Sequence, residues 1–84
     1  MPKLRFSRRA DELFRSLSPA AQETLDAAFI RLQIDPEAAG VELRGRMAGI
    51  WRMREGGYRV LYKIRDEGRL VVVESIRLRG DAYR

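Results

Sequence analysis

The chain has 84 residues, no cysteine and no histidine, and its 17 basic residues outnumber its 12 acidic residues. This length predicts a single domain over residues 1–84. The missing residue types exclude a disulfide, a histidine base and a Cys/His zinc site. The N-terminal residues lack the apolar core of a signal peptide, and the apolar runs are too short to span a membrane. We therefore expect a soluble cytoplasmic domain with no cofactor and no metal.

The positive charge is concentrated in the second half of the chain. Residues 1–43 carry 6 basic and 7 acidic groups, whereas residues 44–84 carry 11 basic and 5 acidic groups. An arginine-rich composition would explain the total charge but not this asymmetry. The distribution therefore indicates a basic face that binds a polyanion.

Two amphipathic helices are predicted after a short alternating strand at residues 3–7. The first helix, within residues 8–17, has an apolar stripe at helical spacing, formed by Ala10, Leu13, Phe14 and Leu17. Ser18 can cap the second helix, since Pro19 fits the first helical position. The stripe of this helix comprises Ala21, Leu25, Ala28, Phe29 and Leu32. Pro36 and Gly40 mark the exit from a helical hairpin whose apolar face needs a sheet to cover it.

Three strands follow, at residues 49–55, 58–65 and 69–79. Short turns at residues 56–57 and 66–68 join them, which predicts an antiparallel meander. The complete order is β-α-α-β-β-β. We therefore predict an α+β fold in which a two-helix hairpin packs on one face of a small antiparallel sheet.

Strand alternation divides the side chains of this sheet between two faces. The face towards the helices receives Trp51, Met53, Tyr58, Val60, Tyr62 and Ile64. The other face gathers cations, namely Arg52, Arg54, Arg59, Lys63, Arg65, Arg77 and Arg79. In the last strand, strict alternation aligns Val71, Val73 and Ser75 with Arg77. Like charges on neighbouring strands repel, so this crowding lowers stability unless an anion binds.

Five segments fall in the order seen in the RelE/ParE superfamily, the toxins of bacterial type II toxin–antitoxin systems. They are "LRG" (44–46), "WRMR" (51–54), "GYRVLYKI" (57–64), "LVVVESI" (70–76) and "RGDAYR" (79–84). The chain resembles this superfamily over nearly its whole length. The resemblance implies a microbial-RNase-like fold and a cognate antitoxin that covers the basic face. It also implies contact with operon DNA only through the antitoxin complex, and no membrane partner.

The resemblance implies more than one possible activity. RelE-like members cut mRNA in the decoding site of the ribosomal 30S subunit, whereas ParE-like members inhibit DNA gyrase without cutting nucleic acid. We expect a RelE-like, ribosome-dependent mRNA endoribonuclease that blocks translation. The alternatives are a ParE-like gyrase inhibitor and a degenerate homologue that only binds its antitoxin. RelE-like cleavage starts with attack of a ribose 2′-OH on the adjacent phosphate, which requires proton transfer and cations around the phosphorane.

The resemblance also implies roles for single residues. It assigns catalysis to Arg59, Arg79, Tyr83 and Arg52. We also expect phosphate binding by Arg54, Lys63, Arg77 and Arg46. Arg52 stands where RelE-like enzymes often have a lysine, and Ile50 stands where some have a second lysine. Because arginine stays protonated, it is a poor general base. The proton acceptor is therefore left open among Tyr83, Glu55, Glu74, Asp81 and the ribosome.

Overall fold

The structure is a computed structural model that describes residues 1–78. The predictions for Arg79, Asp81 and Tyr83 lie outside the described residues. In chain order the elements are β1 (Lys3–Phe6), α1 (Arg8–Ser16), α2 (Pro19–Ile34), α3 (Pro36–Ala39), β2 (Val41–Glu42), β3 (Trp51–Glu55), β4 (Tyr58–Arg65) and β5 (Leu70–Leu78). None of the helices within this range has the length and apolar character needed to cross a membrane.

A five-stranded sheet in the order β1-β5-β4-β3-β2 forms the middle of the fold. Strands β3, β4 and β5 form the predicted antiparallel meander. Strand β1 pairs in parallel with β5, so the sheet is mixed and not wholly antiparallel as the sequence predicted. Parallel pairing needs a crossover connection, and the helices and meander between β1 and β5 provide it. The short elements α3 and β2 were not among the predicted elements.

Side-chain caps determine where the helices begin. Ser18 caps α2 as predicted, because its side chain accepts a hydrogen bond from the N–H of Ala21. Ser7 caps α1 in the same way. Asp35 follows the last residue of α2, and its side chain accepts from the N–H of Ala38 to start α3. The predicted exit from the helical hairpin therefore contains a further helical turn.

The core lies between the helices and one face of the sheet. Its buried apolar members are Ala10, Leu25, Ala28, Phe29, Leu32, Met53, Val60, Tyr62, Val71, Val73 and Ile76. The predicted helix-facing residues of β3 and β4 belong to this cluster or pack against it. Trp51 lies over Tyr62, with the ring centroids 6.3 Å apart. Burial of this apolar surface is the main source of stability.

A β-bulge interrupts the pairing of β4 with β5. Leu61 pairs with Ser75, but the next residue of β4, Tyr62, pairs with Val73. Glu74 is therefore an extra residue of β5 that has no partner in β4. Such a bulge changes the phase of side-chain alternation along the strand that contains it.

The bulge corrects the predicted division of β5 between the two faces. Val71 and Val73 lie in the core before the bulge, and Ile76 lies in the core after it. Arg77 pairs with Arg59 on the opposite face. The prediction that Arg77 lies with the cations is confirmed, whereas its alignment with the two valines is wrong. Strict alternation fails here because one residue is inserted between the two apolar stretches.

The buried hydroxyl of Tyr62 ties the sheet to the α3 turn. This hydroxyl donates a hydrogen bond to the carbonyl oxygen of Pro36 at 2.7 Å. Burial, which disfavours the phenolate, raises the pKa of Tyr62 to about 12, with opposing smaller effects from Arg31 and Asp35. The neutral hydroxyl is therefore the form that the fold stabilises.

We predict that stability requires glycine at position 40, because the backbone there passes close to Tyr62. A Cβ atom at this position would overlap the Tyr62 hydroxyl and lie 2.5 Å from the carbonyl oxygen of Arg52. Gly40→Ala should therefore lower the free energy of unfolding by about 2 kcal/mol. At Gly57 an added Cβ meets nothing within 4 Å, so Gly57→Ala is the matched control. Urea unfolding followed by Trp51 fluorescence tests this, and equal midpoints for the two variants would contradict it.

Stability is also predicted to fall at alkaline pH because of Tyr62. The ordinary tyrosine pKa is about 10, so the unfolded chain loses this proton at lower pH than the folded chain. The stabilisation is complete below the unfolded pKa and is lost as pH rises towards the folded value of about 12. Tyr62→Phe should weaken this alkaline decline and should cost about 1 kcal/mol at neutral pH. Denaturant midpoints measured from neutral to alkaline pH test this, and an unchanged alkaline decline in Tyr62→Phe would refute it.

Candidate functional site

The face of the sheet turned away from the helices, here called the open face, is strongly basic. Strand pairing places on it every lysine and arginine of the strands within residues 1–78: Lys3, Arg5, Arg52, Arg54, Arg59, Lys63, Arg65 and Arg77. The helices cover the other face, and Lys63 is the member of this set that forms a salt bridge within residues 1–78, with Glu74. This confirms the one-sided distribution of cations over β3 and β4 that alternation predicts.

Three arginines, here called the arginine row, face one another across three strands. Arg54 pairs with Arg59, and Arg59 pairs with Arg77. Side chains that are directly opposite have Cβ atoms about 5 Å apart, so the guanidinium groups repel. The Nε atom of Arg59 is buried and has no hydrogen-bond partner among the residues that the structure describes. An anion such as phosphate would relieve both costs, because guanidinium groups donate to it in pairs.

A groove of about 490 Å³, here called the basic groove, extends from the arginine row towards α1. Its lining residues are Ser7, Arg8, Arg9, Ile50, Leu61, Lys63, Glu74, Ser75 and Arg77. Arg8 and Arg9 add positive charge that the sequence did not assign to the site. They reach it because β1 pairs in parallel with β5, which brings the start of α1 beside the bulge. The sequence holds no local signal for this approach.

Ser7 fixes the start of α1 to the bulge. Its hydroxyl donates to the carbonyl oxygen of Glu74 at 2.6 Å and accepts from the N–H of Ala10 at 3.1 Å. Its own N–H donates to the carbonyl oxygen of Val73 at 2.8 Å. The carbonyl group that the bulge removes from the strand ladder is therefore satisfied. One serine thus caps a helix and supports the irregular part of β5.

The structure separates the carboxylates that could accept a proton. The carboxylate of Glu74 lies in the basic groove, where its Oε1 atom is 3.4 Å from the Nζ atom of Lys63. Glu55 lies on the helix side of the sheet and pairs with Arg31 of α2 at 2.8 Å. Within residues 1–78 no group of three or more potential metal-ligating side chains is close enough to hold a metal ion.

The predicted site residues are brought together only in part. The arginine row and the basic groove contain Arg54, Arg59, Lys63 and Arg77. Arg52, half-buried, pairs with Leu61 of the groove lining and so lies at its border. Arg46 lies exposed in the turn Gly45–Met47 and lines neither feature. Arg79 and Tyr83 lie outside the described residues, so their roles stay predictions.

A second depression, here called the helix-side cleft, has a different character. It has a volume of about 530 Å³ and is lined by Leu4, Phe6, Asp11, Phe14, Asp26, Phe29, Ile30 and Gln33. Its lining contains no basic residue, and the side chains of Phe6 and Ile30 are partly exposed there. Exposed apolar surface with a polar rim is typical of a protein-binding site. The basic open face and this cleft therefore lie on different sides of the sheet.

Comparison with known proteins identifies the family. A sequence model described as the ParE toxin of type II toxin–antitoxin systems matches residues 4–83. Toxin RelG of Mycobacterium tuberculosis is 35% identical over 82 residues, which cover 96% of this chain and 94% of the relative. The chain therefore belongs to the ParE toxin family of type II toxin–antitoxin systems, within the RelE/ParE superfamily that the sequence resembles.

Solved structures agree with this assignment. The crystal structure of the toxin–antitoxin complex RelBE2 from Mycobacterium tuberculosis matches with a TM-score of 0.82 at 33% identity, covering 94% of this chain and 100% of that chain. The isolated E. coli RelE toxin matches with a TM-score of 0.79 at 28% identity, covering 93% of this chain and 84% of that chain. The family description carries the ParE name and the relatives carry Rel names. The superfamily is therefore established, and the choice between its activities depends on the chemistry of the site.

Arg59 is predicted to contribute to RNA binding through its charge. Arg59→Ala should weaken binding of a labelled single-stranded RNA about tenfold and reduce the slope of log affinity against log salt concentration by about 0.7. Arg15→Ala is the matched control, because Arg15 lies on α1 and pairs with Asp11 at 3.0 Å. Fluorescence anisotropy over a salt series measures both quantities. Equal losses in the two variants would contradict a special role for the arginine row.

Proposed function

We propose that this toxin is a RelE-like, ribosome-dependent endoribonuclease that cuts mRNA in the decoding site of the 30S subunit. It would block translation in the cytoplasm. The observation that carries the proposal is the arginine row beside the basic groove, with the buried Nε of Arg59 left without a partner within residues 1–78. This arrangement provides donors where a phosphate that is under attack would gain negative charge.

Some residues of the open face contact the scissile phosphate, and others bind the neighbouring phosphates. Arg59 and Arg77, which pair directly across β4 and β5, donate to the non-bridging oxygens of the scissile phosphate. Arg54 and Lys63 bind the neighbouring phosphates, and Arg52 supports the phosphorane from the border of the groove. The row crosses two inter-strand spacings, about 10 Å in total, so it can contact more than one phosphate.

Two further roles come from the resemblance to RelE-like toxins. Arg79 acts as a second phosphate clamp, and Tyr83 stacks on a base or takes part in proton transfer. Aromatic stacking on unpaired bases is a common way for proteins to hold single-stranded RNA. Arg46 binds phosphate from its exposed turn, outside the groove.

Inhibition of DNA gyrase without cleavage is the second candidate function. The match to the ParE toxin family favours it. So do Arg52, which stands where RelE-like enzymes often have a lysine, and Ile50, which stands where some of them have a second lysine. The relatives named RelG and RelE favour the nuclease. The buried Nε of Arg59, which has no partner within residues 1–78, also favours the nuclease, because it can donate to a phosphate.

A cognate antitoxin is the protein partner that we propose. The toxin of the RelBE2 structure is in a complex with its antitoxin. An acidic segment of the antitoxin would neutralise the open face. The helix-side cleft offers apolar surface next to β1, which lies at one edge of the sheet. Contact with operon DNA would occur only through this complex.

Cell-free translation distinguishes the two candidate functions. The purified toxin is expected to cut ribosome-bound transcripts within codons, as primer extension would detect. Arg59→Ala should cut at least about a hundredfold more slowly, because it removes a donor to the phosphorane. Arg15→Ala, which removes a charge far from the groove, should cut like the parent. Intact transcripts together with gyrase trapped on DNA would support the ParE-like alternative instead.

The same variants make a prediction in cells. Expression of Arg59→Ala or Arg79→Ala should arrest growth much less than expression of the parent, while each variant still co-purifies with the antitoxin. Retained antitoxin binding shows that the loss of arrest does not come from unfolding. If both variants arrest growth as strongly as the parent, the assignment of the open face as the catalytic surface is wrong.

A further inference from the structure

The proposed cleavage needs a group that accepts the proton of the ribose 2′-OH. The arginines of the row stay protonated and cannot accept it. Within residues 1–78, Glu74 is the one carboxylate that lines the basic groove. Glu55, the other strand glutamate that the sequence left open for this role, lies on the helix side and pairs with Arg31 at 2.8 Å.

We propose that Glu74 is the general base of this toxin, a proposal that rests on the proposed nuclease function. Glu74 lies at neither of the two positions where RelE-like enzymes have lysines, often at the position of Arg52 and in some members at that of Ile50. Replacement of a lysine by Arg52 leaves a cation but removes a group that can lose a proton at moderate cost. A carboxylate elsewhere in the groove would restore that ability.

The bulge in β5 gives Glu74 its position. Glu74 has no partner in β4, and its side chain reaches Lys63, which belongs to the open face. Ser75, the next residue, pairs with Leu61 on this face as well. Bulges redirect side chains and are over-represented next to active sites. The hydrogen bond from Ser7 to the Glu74 carbonyl oxygen, at 2.6 Å, holds this irregular backbone in place.

Cations from three elements line the basic groove together with Glu74. Lys63 of β4 lies 3.4 Å from its carboxylate, Arg77 comes from β5, and Arg8 and Arg9 come from the start of α1. An RNA phosphate that enters the groove meets the same cations, so the carboxylate and the phosphate are held close together. Lys63 can turn from the carboxylate to the phosphate, because its side chain is only partly buried, with 31% exposed. Binding of RNA would then free the Glu74 oxygen for the 2′-OH.

In the proposed cleavage step, Glu74 takes up one proton and later returns it. The 2′-oxygen forms a bond to phosphorus while its proton passes to the carboxylate of Glu74. The bond between phosphorus and the 5′-oxygen breaks, and its electron pair stays on that oxygen. A water molecule donates a proton to the 5′-oxygen, and Glu74 returns its proton to the resulting hydroxide. The products are a 2′,3′-cyclic phosphate and a free 5′-hydroxyl end.

Glu74→Gln tests this assignment, because glutamine has the same shape but cannot accept the proton. Single-turnover cleavage of ribosome-bound mRNA is measured over a range of pH for the parent, for Glu74→Gln and for Glu74→Asp. The parent rate should fall at acid pH, because a general base must be ionised to accept the proton. Glu74→Gln should cut about 10²- to 10⁴-fold more slowly and should lose this acid limb. Glu74→Asp, which keeps a carboxylate, should retain the acid limb at a reduced rate.

Control measurements test whether slower cleavage by Glu74→Gln comes from loss of the general base. Glu23→Gln removes an exposed carboxylate from α2 and should cut like the parent. RNA binding by Glu74→Gln should be at least as tight as that of the parent, since a negative charge leaves the groove. Cleavage by Glu74→Gln at the parent rate, or a slower rate with an unchanged acid limb, would overturn the proposal and leave the nuclease function standing. A parent protein that cuts no ribosome-bound mRNA would overturn both.

Discussion

One extra residue in β5 decides how the sheet divides its side chains. Because Glu74 has no partner in β4, the valines before it and Ile76 after it can all pack in the core. The same change of phase places Arg77 opposite Arg59 on the open face. If Glu74 took a regular place in the ladder and no bulge formed, strict alternation would put Arg77 on the same face as Val71 and Val73. The bulge therefore links the stability of the core to the geometry of the basic groove.

Repulsion between like charges on the open face destabilises the fold. Arginines lie opposite one another, and a buried guanidinium nitrogen has no partner among the described residues. A domain of this size has little stability to lose. A bound anion would offset the repulsion between these crowded cations. Both proposed partners, the RNA backbone and an acidic antitoxin segment, supply the missing negative charge, so they would compete for the same face.

Local patterns predicted much of this fold, and long-range pairing decided the rest. The helices, the cap at Ser18 and the two faces of β3 and β4 could be predicted from the sequence, because each depends on residues that are neighbours in the chain. The parallel pairing of β1 with β5, and with it the arrival of Arg8 and Arg9 in the groove, depends on how the chain crosses the sheet. The bulge at Glu74 is set by packing on both sides of the sheet. The resemblance to RelE/ParE toxins, which the comparisons confirm, identified the superfamily but not the proton acceptor.

We infer that the open face, organised by the bulge, is the surface that binds RNA. The most direct test is an NMR titration of the isotope-labelled protein with a short RNA whose 2′-hydroxyls are methylated, so that it binds without being cut. We expect the amide shifts to concentrate on the arginine row, on the start of α1 and on the bulge at Glu74. Shifts confined to the helix-side cleft, or spread over α2, would contradict it.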